Sequence, residues 1–161
     1  MQETHGENWH EEIHDGKNLA ELILEPSRIY TPAVVDMFGG FDKKSNADIH
    51  GVVHITGGGI PEKLGRVLKP SGFGAYLENL FEPPDLMLYC QEKGGVIDED
   101  AYKTWNMGQG MIIVSPDAHN VMKIAFEHGI ESKIIGEIYP KPNIVIKSRG
   151  LNSEKNKELV F

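Results

Sequence analysis

Apolar residues recur along the chain in short runs whose spacing alternates between that of strands and that of helices, and glycine or proline marks nearly every change. The stretch "NLAELIL" suits a short helix or a strand, and Pro26 ends it. In "YTPAVVDMFGG", Thr31 is placed to cap a helix, Pro32 sits at its first position and Gly39-Gly40 closes it. The β-branched run "HGVVHIT", residues 50–56, predicts a strand that stops at three consecutive glycines. "IPEKLGRVL" then predicts a helix with Pro61 at its start and Ile60, Leu64, Val67 and Leu68 on one face. Further on, "GFGAYLENL" reads as a strand, "PPDLMLYCQEKGG" as a helix ended by Gly94-Gly95, and "DEDAYKTW" as a short helix. "GQGMIIVSP" is a strand with a glycine-rich lead-in. "DAHNVMKIAFEHG" is a capped amphipathic helix, with Val121, Ile124 and Ala125 inward and Gly129 at its stop. "SKIIGEIYP" and "NIVIKS" add two strands, and no internal repeat is present. Such alternation predicts an α/β (α+β layered) domain with a mixed β-sheet covered by helices. Its expected limits are 17–149, between an acidic linker or tail at 1–16 and a charged tail at 150–161 that is frayed or loosely docked.

Composition keeps that picture and narrows the partners. A chain of 161 residues, 40% hydrophobic and 25% charged, is one globular domain able to enclose a core. A net charge of −8 argues against nucleic acid and anionic membrane surfaces, which are bound through clustered Lys and Arg. With one cysteine, Cys90, neither an internal disulfide framework nor a cysteine zinc site is available, and a reducing, cytoplasmic setting is expected. The first residues are polar and acidic where an export signal would be basic and then apolar.

Several stretches offer chemistry. "HEEIH", His10 to His14, fits H-E-x-x-H, in which two histidines one helical turn apart bind zinc. Asp15-Gly16 follows at once and breaks any helix, and only Trp9 and Ile13 would anchor it, so a solvated acidic segment is the expectation. In "HITGGGIPEKL", three glycines between strand and helix let backbone N–H groups approach a phosphate at a helix N-terminus. The same glycines equally suit a tight turn demanded by sterics. Neither a P-loop nor a dinucleotide fingerprint is present. "TWNMGQGM" is a second glycine-rich segment, in which Asn106 is available to a ligand or the strand start is simply bulged. His54 is a candidate for proton handling or an ordinary packed histidine. Arg28 is a candidate phosphate partner or an internal ion pair, and Cys90 is read as packing.

Taken together and in this order, "EPSRIYTPAV", "HITGGGIPEKLGRVL" and "TWNMGQGMIIV" resemble the C-terminal domain of the aminoimidazole ribonucleotide synthetase (phosphoribosylformylglycinamidine cyclo-ligase) family, over about residues 16–148. Trp105 stands where the family commonly has phenylalanine. The resemblance implies a ligase of purine biosynthesis that uses ATP to close formylglycinamidine ribonucleotide to aminoimidazole ribonucleotide. It also implies an N-terminal domain that carries most of the ATP and Mg2+ ligands and much of a homodimer interface, with the acidic segment before Asn18 as the joint. This chain alone would then be inactive and supply no metal ligand. By resemblance, Thr56, Gly57, Gly58 and Gly59 lie near a phosphate, Asn106 and Arg28 line the cleft, and His54 has a polar or proton-handling role. The alternative is a free-standing phosphate- or nucleotide-binding module of the same superfamily without catalysis.

Overall fold

The structure is a computed structural model that describes residues 2–40, 44–153 and 158–161. The N-terminal stretch expected as an acidic linker or tail is folded into small elements: α1 (Gln2–His5), a 3-10 turn at Trp9–Glu11, and a hairpin of β1 (Ile13–His14) and β2 (Lys17–Asn18). Asp15 and Gly16 form the hairpin loop, both at positive φ (49° and 76°), the type I′ signature of an Asp-Gly pair. Short helix α2 (Leu19–Ile23) follows, capped by the Asn18 side chain, which accepts a hydrogen bond from the Glu21 N–H at 2.9 Å. Helix α3 (Thr31–Met37) starts one residue earlier than its sequence suggests, with Tyr30 rather than Thr31 as the capping residue and Pro32 in the first turn.

The rest of the chain alternates as expected: β3 (Gly51–His54), α4 (Gly59–Leu68), β4 (Gly74–Leu77), α5 (Asp85–Gly94), α6 (Asp98–Thr104), β5 (Met111–Val114), α7 (Ala118–Glu127), β6 (Gly136–Tyr139) and β7 (Ile144–Lys147). The strands divide between a four-stranded mixed sheet and a separate ribbon. In the sheet, ordered β6-β4-β7-β8 with β8 at Glu158–Val160, the β4–β7 pair is parallel and the other pairs antiparallel. The ribbon is β3 antiparallel to β5, from Gly51 opposite Val114 to His54 opposite Met111. The fold is therefore the expected α/β layered class with its strands in two groups. The stretch expected as a charged tail, frayed or loosely docked, includes strand β8. In "ELV" the period of two turns Leu159 into the core while Glu158 and Val160 stay exposed.

The main core joins Val53 and Ile55 from the ribbon side, Ile60, Leu64 and Leu68 from α4, and Ala75, Leu77, Ile144 and Ile146 from the sheet. Val67 was expected on the same helix face but is 37% exposed. Positions 60, 64 and 68 make one i, i+4, i+8 row, and Val67 lies beside that row over Gly51. A second cluster, between α3 and α7, holds Ala33, Met37, Val121, Ile124 and Ala125. Among the described residues no helix is long and apolar enough to cross a membrane.

Candidate functional site

Antiparallel pairing of the ribbon brings the two glycine-rich segments to one end of it. β3 runs into the turn at 56–58 just where β5 begins after 108–110, and the Ile55 N–H donates to the Gly110 carbonyl at 3.0 Å. In the first turn the glycines have a steric reason. Gly59, at φ +58°, starts α4 so close to the end of α6 that a Cβ would lie 1.8 Å from the Tyr102 carbonyl oxygen. Gly58, at φ +93°, carries the Glu62 carboxylate against it, and that carboxylate also pairs with Arg66. Thr56 and Gly57 are exposed.

The second segment floors a cleft of about 420 Å³, whose lining includes Arg28, Tyr30, Glu82, Gly108, Gln109 and Lys133. Asn106 makes the turn that shapes this floor: its side-chain oxygen accepts from the Gly108 N–H at 3.1 Å. Gly108 lies under the next segment, where a Cβ would come within 2.7 Å of the Glu82 carbonyl oxygen. Gln109 is 3% exposed and fastens the two segments together. Its amide donates to the Phe81 carbonyl at 3.0 Å and the Met107 carbonyl at 2.8 Å, and its oxygen accepts from the Phe81 N–H at 3.1 Å. A Gln109→Leu variant leaves the Phe81 N–H and C=O without these partners and is expected to lose about 2–3 kcal/mol. Urea unfolding checks it; an unchanged midpoint would mean that water replaces the glutamine.

The cleft carries charge of both signs. The Lys133 ammonium donates to the Leu80 carbonyl at 2.9 Å and lies 4.6 Å from the centre of the Phe81 ring, an attractive cation–π placement. Glu82 and Glu131 also line the wall, and Glu82 accepts from Arg149 at 2.9 Å.

Of the residues singled out from sequence, Arg28 lines the cleft, and His54, Thr56, Gly57, Gly58, Gly59 and Asn106 do not. His54 is exposed, its ring edge-on to Tyr30 at 6.2 Å, and Tyr30 does line the cleft. Gln109, Lys133, Tyr30 and Glu82 were missed. Gln109 had a local signal, as a polar side chain between two glycines, whereas Lys133 and Glu82 had none. Burial pushes the Cys90 thiol up from its ordinary value, in keeping with a packing role. The zinc motif has no helix to stand on, because His14 belongs to β1. Its ring packs 4.4 Å from that of Tyr89, and the described residues hold no group of three or more metal-binding side chains.

Comparison with known proteins agrees with the three sequence motifs. The family model described as AIR synthase related protein, C-terminal domain, matches residues 1–148. Among curated proteins, the phosphoribosylformylglycinamidine cyclo-ligase of Methanopyrus kandleri is 33% identical over 143 residues, 88% of this chain. The match spans 39% of the length of that relative.

Proposed function

Because the chain belongs to the AIR synthase related protein family as its C-terminal domain, we propose that it forms the cleft-bearing part of an ATP-dependent cyclo-ligase of purine biosynthesis. In this reading the substrate is formylglycinamidine ribonucleotide, and the working unit is a cytoplasmic homodimer. A further domain, joined through the acidic N-terminal segment, supplies most of the ATP ligands. The observation that carries the proposal is the cleft itself, in which Arg28 and Lys133 share a cavity floored by the glycine backbone of 108–110.

The reaction asks the protein chiefly for positioning and charge stabilisation. The γ-phosphoryl group of ATP passes to the formamide oxygen of the substrate, releasing ADP. A substrate nitrogen then attacks the activated carbon, the C–O bond breaks, and phosphate leaves as the ring closes. Arg28 and Lys133 hold the anionic parts of the substrate by charge-assisted hydrogen bonds. The turn of Thr56, Gly57, Gly58 and Gly59, exposed at Thr56 and Gly57 and closed by the buried Gly59, lies at the N-terminus of α4 and takes a phosphate at its exposed backbone. Lys69 flanks a shallow depression beside Gly58, together with Glu62 and with Lys103, which pairs with Glu99. Asn106 shapes the floor, and His54, next to Tyr30, is the candidate to hold or move a proton at the ring edge. Most of the Mg2+ ligands are assigned to the further domain, and no step is routed through a metal on this chain.

An assay of ADP release and aminoimidazole ribonucleotide formation tests the proposal. The chain alone is expected to be inactive, and the same chain together with the ATP-binding domain is expected to turn over. Turnover by the chain alone would overturn its role as a part, and inactivity of the combined protein towards this substrate would overturn the substrate assignment.

A further inference from the structure

The family match stops at residue 148, yet the backbone of the next four residues is tied to buried side chains. Every backbone N–H from 149 to 152 donates to a side chain. Arg149 N–H bonds the Tyr102 hydroxyl at 3.0 Å, Gly150 N–H the Ser148 hydroxyl at 3.1 Å, Leu151 N–H the Gln91 amide oxygen at 3.0 Å, and Asn152 N–H the Asp98 carboxylate at 3.0 Å. These acceptors are buried: Tyr102 and Gln91 are 0% exposed, Asp98 4% and Ser148 7%. Asp98 braces the others, accepting from the Gln91 amide at 2.6 Å and the Ser148 hydroxyl at 2.5 Å. Gly150 fits only without a side chain, since a Cβ would lie 2.6 Å from the Asp98 carboxyl carbon.

Burying a carboxylate and an amide is costly compared with an apolar core of the same volume, so such a network argues for a defined geometry more than for stability. The geometry it defines is that of Arg149. The guanidinium donates from Nη1 to the Glu82 carboxylate at 2.9 Å and from Nη2 to the Glu78 carbonyl at 3.5 Å. Glu82 lines the cleft, and Arg149 does not. The arginine therefore reaches the cleft through Glu82.

We propose that Arg149, fixed by the Asp98-centred loop, is a positioning residue that sets the charge preference of the cleft: it holds and neutralises Glu82 so that the cleft accepts a phosphate-bearing ligand. The inference rests on the anionic ligand of the proposed function. An unpaired carboxylate on the wall would oppose a phosphate at short range, where screening by salt is incomplete.

The test is calorimetric titration of the chain with ribose 5-phosphate, with ribose as the uncharged control and a melting curve for each variant. The Glu82 side chain is 72% exposed, so the effect is that of a screened surface charge: Arg149→Ala is expected to weaken ribose 5-phosphate binding about two- to fivefold, and Arg149→Ala with Glu82→Gln to restore it. Glu82→Gln alone should bind as well as the parent or better. A double variant that stays as weak as R149A would overturn the proposal in favour of a direct or merely structural role, as would E82Q binding more weakly than the parent or R149A binding normally. If R149A does not fold, the E82Q comparison alone decides. If the parent chain binds no ribose 5-phosphate, the reading of the cleft as an anion site falls and the inference with it, whereas parent binding with no rescue removes the inference alone.

Discussion

Gly59→Ala is expected to destabilise the protein by about 3–5 kcal/mol, the sum of a left-handed backbone conformation and a clash that rotamer changes do not relieve. At φ +58° the new methyl group would lie 1.8 Å from the Tyr102 carbonyl oxygen and 2.9 Å from that of Trp105, both backbone atoms. Relief requires the start of α4 to move away from the end of α6, and that movement would open the core around Ile60, Leu64 and Tyr102. For a domain of this size the thermal midpoint should fall by roughly 10 °C, readable by circular dichroism. The matching control is Gly57→Ala: Gly57 is exposed, and nothing lies within 4 Å of where its Cβ would be. It should keep parental stability. If the turn takes a phosphate as proposed, Gly57→Ala should lower turnover of the complete enzyme even so. A melting point for Gly59→Ala within a degree or two of the parent would show that the two helices are not packed as described.

Arg28→Ala, made in the proposed assembly with the ATP-binding domain, is expected to lower kcat/KM about 100-fold, the worth of a charge-assisted hydrogen bond to a phosphate in a partly desolvated cleft. Stability should not change, since Arg28 is exposed and its removal leaves no cavity. Arg28→Lys keeps the charge but not the planar fork, so an intermediate loss is expected. Steady-state kinetics with varied ribonucleotide checks the effect. A variant with parental kcat/KM would remove Arg28 from the binding machinery and leave Lys133 as the cation to test.

Much of the secondary structure was legible because its causes are local. Pro32 and Pro61 sit in first helical turns, Gly95 and Gly129 take positive φ at helix ends, and β-branched runs became β3, β5 and β7. Errors arose where neighbouring packing outweighed a local signal. Thr31 lost the cap to Tyr30, Val67 slid off the α4 core row onto Gly51, and "ELV" found an open edge of β7 to pair with. The acidic residues before Asn18 read as a tail because their charge hid a two-residue turn, Asp15-Gly16, and because His5 and His14 meet Tyr89 only through the fold. The candidate site was legible in part. Arg28 lines the cavity, as do Gly108 and Gly110 of "TWNMGQGM", while the turn at 56–59 lies outside it.

By itself the sequence determined the order and kind of the elements and the family, since each depends on residues close together or on motifs that survive as strings. The tertiary structure alone decided where the cleft is, that Gln109 seals it through Phe81, that Lys133 stands in its wall over Leu80, and that Arg149 reaches it through Glu82. Those contacts join residues 28, 53 and 67 positions apart. Their partners are selected by the order in which strands pair and by which helix ends meet. A hydrophobic period reports which face of an element is buried, and carries no information about what it is buried against.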